Sequence, residues 1–226
     1  TPPSRPEIVA PRCSWRGRCR DCREPIAIRY PLVELANALL WTALALRHGA
    51  GFAFLAFAVF CSALLAITLI DVDHWIIPDA ITLPGIVAGL LASFFLPPRG
   101  SLIADLVHDH LRLGQLPGLL ASPGFWDSLL AVLVGGGFFY LVAVVSRGGM
   151  GGGDIKLTAM MGAFLGLRDL GVAVFIGLLA GSAVGIALMI AGRKTRKDAI
   201  PFGPFLALGG ICAVFWGHSL VEWYLH

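Results

Sequence analysis

Two groups of carboxylates interrupt an otherwise apolar sequence, and they are the residues with chemistry to offer. The first group is Asp71-Val72-Asp73-His74-Trp75-Ile76-Ile77-Pro78-Asp79. The second is Asp154, which follows a run of glycines: Gly148-Gly149-Met150-Gly151-Gly152-Gly153-Asp154-Ile155-Lys156. Asp71 and Asp154 stand 83 residues apart, so only the fold can pair them. Two carboxylates brought within a few ångströms do not both ionise easily. One keeps a proton and acts as an acid while the other activates water, and the pair titrates as a unit. The glycines Gly151 and Gly153 leave room for an extended peptide to come close. An Asp at the head of an apolar helix is costly in a membrane and marks a functional position by default. The plainer alternative is a flexible loop whose Asp caps a helix. Asp73, His74 and Asp79 could support the pair, bind a metal or solvate the helix end, and a hydrogen-bonded surface histidine is the simpler account of His74.

The elements that must position these residues are membrane helices. Of the 226 residues, 57% are hydrophobic and 14% charged, and the mean hydropathy is +0.81. Several apolar runs approach the ~20 residues that cross a bilayer, which excludes a soluble domain and predicts an all-α polytopic membrane protein. About seven segments are expected: 31–48, 51–70, a third ending near Leu96, 128–145, a short 155–167, 170–191 and 200–225. Pro78 and Pro84 are expected to interrupt the chain before the third. Between residues 97 and 127, Leu102, Ile103, Leu106, Val107 and Leu111 recur at helical spacing, as in an amphipathic surface helix. The small-residue pairs Gly85/Gly89, Gly162/Gly166 and Gly181/Gly185 would let helices pack closely.

Charge gives the orientation. The side carrying residues 1–30, Arg147, Lys156 and the Arg193–Lys197 turn has thirteen Lys and Arg residues, and the other side has four. The positive-inside rule puts both carboxylate groups at the cytoplasmic face. Residues 1–30 form a basic arm and 31–226 the membrane domain. Cys61 and Cys212 fall in apolar spans as packing residues, whereas Cys13, Cys19 and Cys22 cluster in the arm. The chain begins at Thr1, and no signal-peptide pattern precedes the first apolar run.

Four motifs in order resemble those of the type IV prepilin peptidases, the prepilin leader peptidases of the GxGD intramembrane aspartic protease group. They are Arg29-Tyr30-Pro31-Leu32-Val33-Glu34-Leu35, Asp71-x-Asp73-His74-x-x-Ile77-Pro78-Asp79, Gly151-x-Gly153-Asp154-x-Lys156-Leu157 and Ile200-Pro201-Phe202-Gly203-Pro204-Phe205. The resemblance implies an aspartic endopeptidase of the bacterial inner membrane. It would cleave the basic leader from prepilins or type II secretion pseudopilins at the cytoplasmic face. Asp71 and Asp154 match the catalytic aspartates, and Gly151, Gly153 and Lys156 the surrounding motif. Gly151, Gly153, Lys156, Asp73 and Asp79 are the expected substrate-binding residues. Proteolysis would need no cofactor.

The resemblance also implies a zinc-holding loop with two CxxC pairs and methyl transfer from S-adenosylmethionine. Here Cys19-x-x-Cys22 is the one full pair, with Cys13 before it, whereas a closed zinc site wants four ligands. The family's first span is absent, as in a truncated chain or a short branch. We therefore expect zinc at these cysteines only as an incomplete site, and cleavage without efficient methylation. The partners expected are a prepilin or pseudopilin and the lipid bilayer, with no nucleic acid; nothing in the sequence sets an oligomeric state. A rival from another class is an ion-coupled transporter, but its aspartates would lie near the bilayer midplane on broken helices rather than at span ends. A phosphotransferase would need a phosphate-binding motif, and the glycine run lacks a following Lys-Ser/Thr.

Overall fold

A computed structural model describes residues 13–14, 18–19, 27–96, 122–146, 150–192 and 201–225. The chain forms two compact units, Thr1–Thr42 and Ala43–His226. In the first, β1 (Cys13–Ser14) and β2 (Arg18–Cys19) make a short antiparallel ladder with Cys13 opposite Cys19. Six helices are found among the described residues: α1 (Arg29–His48), α2 (Phe52–His74), α3 (Asp79–Ala92), α4 (Pro123–Val145), α5 (Gly152–Ile190) and α6 (Gly203–Leu225). Four of them, α2, α4, α5 and α6, are long and apolar enough to cross a membrane, and α3 is a shorter apolar helix. The protein is a multi-pass helical membrane protein.

The centre of the second unit is the first half of α5. Residues 157–166 are buried without interruption, as expected for a helix apolar on every side. Helix α5 packs on α4, α6 and α3, and α2 packs on α6. Lipid offers no hydrophobic drive between helices, so contact rests on close approach of small residues. A Cβ at Gly89 would lie 2.7 Å from that of Ala163, and one at Gly85 would collide with the Met160 sulfur, so this pair seats α3 on α5. A Cβ at Gly162 would come within 2.8 Å of the Ala131 backbone of α4. Phe60 of α2 stacks on Phe164 of α5 at 4.7 Å.

The segments expected at 155–167 and 170–191 are the two parts of α5, which is broken at Gly166, whose φ of 75° and ψ of 174° are non-helical. Two expectations change here. Pro84 does not interrupt anything: it lies inside α3, for which Pro78 is the N-cap. Pro84 is the sixth residue of α3 and leaves one carbonyl of the preceding turn without its helical donor, a loss that membrane helices tolerate. The segment expected at 31–48 forms α1, but this helix is not among the four long apolar ones. The amphipathic pattern at 102–111 and the 193–197 turn lie outside the described residues.

Candidate active site

Asp71 sits in the last turn of α2. That turn is closed by Trp75, whose N–H donates to the Asp71 carbonyl at 2.9 Å. Asp154 sits in the first turn of α5, three residues after the N-cap Gly151. Its backbone N–H donates to the Gly151 carbonyl at 3.1 Å, and its carboxylate accepts the Gly151 N–H in return. The return of an acidic side chain from the third helical position to the cap N–H is one half of a capping box; Gly151 has no side chain to supply the other half. The positive end of the α5 dipole favours a negative charge there.

The two carboxylates open on one cavity of about 480 Å³. Asp71 is 5% exposed and Asp154 8%, and Asp71 acts on Asp154 electrostatically. The fold thus brings together the two residues that the sequence separates by 83 positions. The N–H of Gly203, first residue of α6, is directed at the Asp71 carboxylate. A Cβ at Gly203 would stand 2.6 Å from Asp71 Oδ2, so only glycine lets this helix end reach the acid. Asp71 Oδ2 nevertheless remains buried without a hydrogen bond. A buried carboxylate oxygen without a hydrogen bond calls for an explanation, and a chemical role is one.

Ile77 fixes the spacing of these three helix ends. It is 9% exposed, whereas Ile76 beside it is 62% exposed. A Cβ at Gly153 would lie 2.7 Å from Ile77 Cβ, and one at Gly203 would lie 3.2 Å from its Cδ1. Two glycines on two helices therefore close on one isoleucine. This corrects the reading of the glycine motif. Gly152 and Gly153 are helical rather than loop, and Gly151 has a φ of −72°, so neither Gly151 nor Gly153 needs a left-handed backbone. What Gly153 supplies is space for Ile77.

Among the other expected substrate-binding residues, Lys156 and Asp79 bind each other. Lys156 Nζ donates to both Asp79 oxygens, at 2.7 and 2.6 Å, and ties the start of α3 to the start of α5. Both side chains are well exposed, so the pair contributes on the order of 0.2–1 kcal/mol. Asp79 and Gly151 line the cavity, while Asp73 is exposed at the end of α2. Trp75, Ile77, Met150 and Phe202 also line it. None of these was singled out from the sequence as a site residue. The pattern Ile76-Ile77 gives no sign of which isoleucine turns inward, and Phe202-Gly203 lies 49 residues or more beyond Asp154's own motif residues Gly151–Gly153. Of the expected metal ligands, Cys22 lies outside the described residues. Among the described residues, no group of three or more His, Cys, Asp and Glu is placed to hold a metal ion.

Residues 58–186, which include both carboxylates, match the model of the type IV leader peptidase family. The chain belongs to that family. A relative in Aeromonas hydrophila, named prepilin leader peptidase/N-methyltransferase, is 38% identical over 95% of this chain and 69% of its own length. Relatives of the same name in Burkholderia pseudomallei (strain K96243) and Bacillus subtilis (strain 168) are 39% and 31% identical. They cover 89% and 93% of this chain, and 59% and 75% of their own lengths. No solved structure matches. The arm has a match of its own, since residues 9–48 fit the bacterial Peptidase A24 N-terminal domain. That domain runs past residue 30 into α1. The expectation of cleavage without methylation gains no support from these matches.

Proposed function

We propose that this leader peptidase is an aspartic endopeptidase that removes the basic leader from type IV prepilins or type II secretion pseudopilins. Asp71 and Asp154 are its catalytic pair. The observation that carries the proposal is the meeting of two buried carboxylates in one cavity, with Asp71 Oδ2 unbonded. The pair shares one proton. The ionised carboxylate takes a proton from water as the oxygen attacks the scissile carbonyl, and the protonated one donates to the carbonyl oxygen. Collapse of the tetrahedral intermediate then breaks the C–N bond and returns a proton to the leaving amine. Two electrostatic features assist: the N-termini of α5 and α6 both face the pair, and their dipoles favour the ionised partner.

The substrate backbone approaches along Gly151 and Gly152, both exposed at the cavity. Asp79 is held by Lys156, and Asp73 is a second exposed acid near the path of a basic leader. The excess of Lys and Arg on the side of residues 1–30 supports a cytoplasmic active site on a chain of seven membrane segments, with α5 contributing two across its break. Position at helix ends favours a protease over an ion-coupled transporter. Cleavage as proposed uses no metal. Incubating the purified membrane protein with a prepilin, and reading the mass and N-terminus of the product, tests the proposal. Release of the intact leader is expected; an unprocessed substrate would refute it.

A further inference from the structure

Helix α2 ends in an unusual way. Its C-cap is Trp75, with φ 59° and ψ 32° in the left-handed region. Trp75 is the one non-glycine residue with positive φ among the described residues. That conformation presses a side chain's Cβ against the following carbonyl, and helix ends of this kind are usually glycine. The turn itself is required, because it closes the helix on Asp71 through the Trp75 N–H and turns the chain toward Ile77. Glycine would make the same turn without strain. The sequence instead places its largest side chain there, 52% exposed and lining the cavity that holds Asp71 and Asp154. Strain retained beside a reactive pair is an observation from which a functional role can be inferred.

The cavity's remaining lining suggests the role. Asp79, held by Lys156, forms a charged edge. Trp75 and the exposed Ile76 form an apolar one. We infer that Trp75 is a substrate-contacting, specificity-determining residue: its indole is the apolar wall for a side chain of the prepilin on the apolar side of the cut. The inference rests on the cleavage reading above. Tryptophan is also common at membrane interfaces as an anchor, and the two roles differ in what they make sensitive to substrate sequence.

The experiment compares wild type with Trp75→Gly and Trp75→Asn, both of which accept a left-handed backbone. Each is assayed on a prepilin and on versions with single alanine substitutions at the first few residues after the cut. The expected result is that both variants insert and melt no lower than wild type. KM should rise about tenfold, with a smaller change in kcat. One alanine substitution should raise KM for wild type but no longer for the variants, the signature of a lost pairwise contact. If wild type cuts and the variants keep its KM and its alanine profile, the inference is overturned and the cleavage reading stands. If both variants fail to insert or melt lower, Trp75 is an anchor and the inference is overturned. If wild type cuts nothing, the cleavage reading falls and the inference falls with it.

Discussion

Asp154 and Asp127 flank the two ends of the same buried half-helix, residues 152–165 of α5, and they are buried alike, at 8% and 6% exposure. Their surroundings differ. Asp127 reaches from α4 to the break in α5, where its Oδ1 accepts the Leu167 N–H at 3.4 Å. Gly166 has no Cβ to collide with Asp127 Oδ2 and takes the positive φ that interrupts the helix. Asp127 is thus an N-cap supplied from another helix to a backbone donor that the break leaves without a helical partner. Asp154 caps its own helix in a similar way, yet it also faces a second carboxylate across an open cavity. An ionisable residue in a membrane segment is functional by default, but burial alone does not separate a cap from a catalyst. A second acid and access for substrate do.

The largest effect expected from this contrast is loss of cleavage in Asp71→Asn and in Asp154→Asn, by about 10³-fold or more, since removing one member of a catalytic unit removes most of its effect. Both proteins should insert normally. Asp127→Asn, which keeps an acceptor oxygen for the Leu167 N–H, should cleave within about threefold of wild type. Rates of prepilin processing check all three, and an Asp127→Asn protein as dead as Asp154→Asn would erase the distinction between the two ends.

Gly153→Val should come next, at about a 10²-fold loss, because a side chain there displaces Ile77 and with it the spacing of the pair. Adding Ile77→Ala should restore part of the rate by making room. At the other end, Gly166→Ala should act on stability instead. A Cβ at positive φ costs about 1–2 kcal/mol and pushes on Asp127. Thermal melting should fall by about 2–4 °C per kcal/mol, with cleavage by the folded protein little altered. The smallest effect belongs to Lys156→Met, about 0.2–1 kcal/mol in stability and less in high salt. A rise in KM for the basic leader of more than about tenfold in Asp79→Asn would instead return Asp79 to substrate binding.

The membrane class, most helix positions and the two carboxylate groups were legible in the sequence because each is local: apolar runs, glycines and isolated acids stand out one by one. That Asp71 and Asp154 could meet followed from the charge count that puts both on one face and from the resemblance to the type IV prepilin peptidases. What stayed hidden depends on which side of a helix end faces inward. Ile77 differs from Ile76 only in where it points. Gly203 matters because of a carboxylate 132 residues earlier. The break in α5 was legible as a boundary between two apolar segments, but the Asp127 cap that holds it comes from a different segment and was not.

The central claim is that Asp71 and Asp154 act as one unit. It is tested most directly by single-turnover cleavage of a prepilin by Asp71→Asn, Asp154→Asn and the double variant, at matched membrane concentration. The account predicts that all three are slowed to about the same residual rate, the double variant no worse than either single one. Losses that multiply in the double variant, or a single variant that cleaves near the wild-type rate, would contradict it.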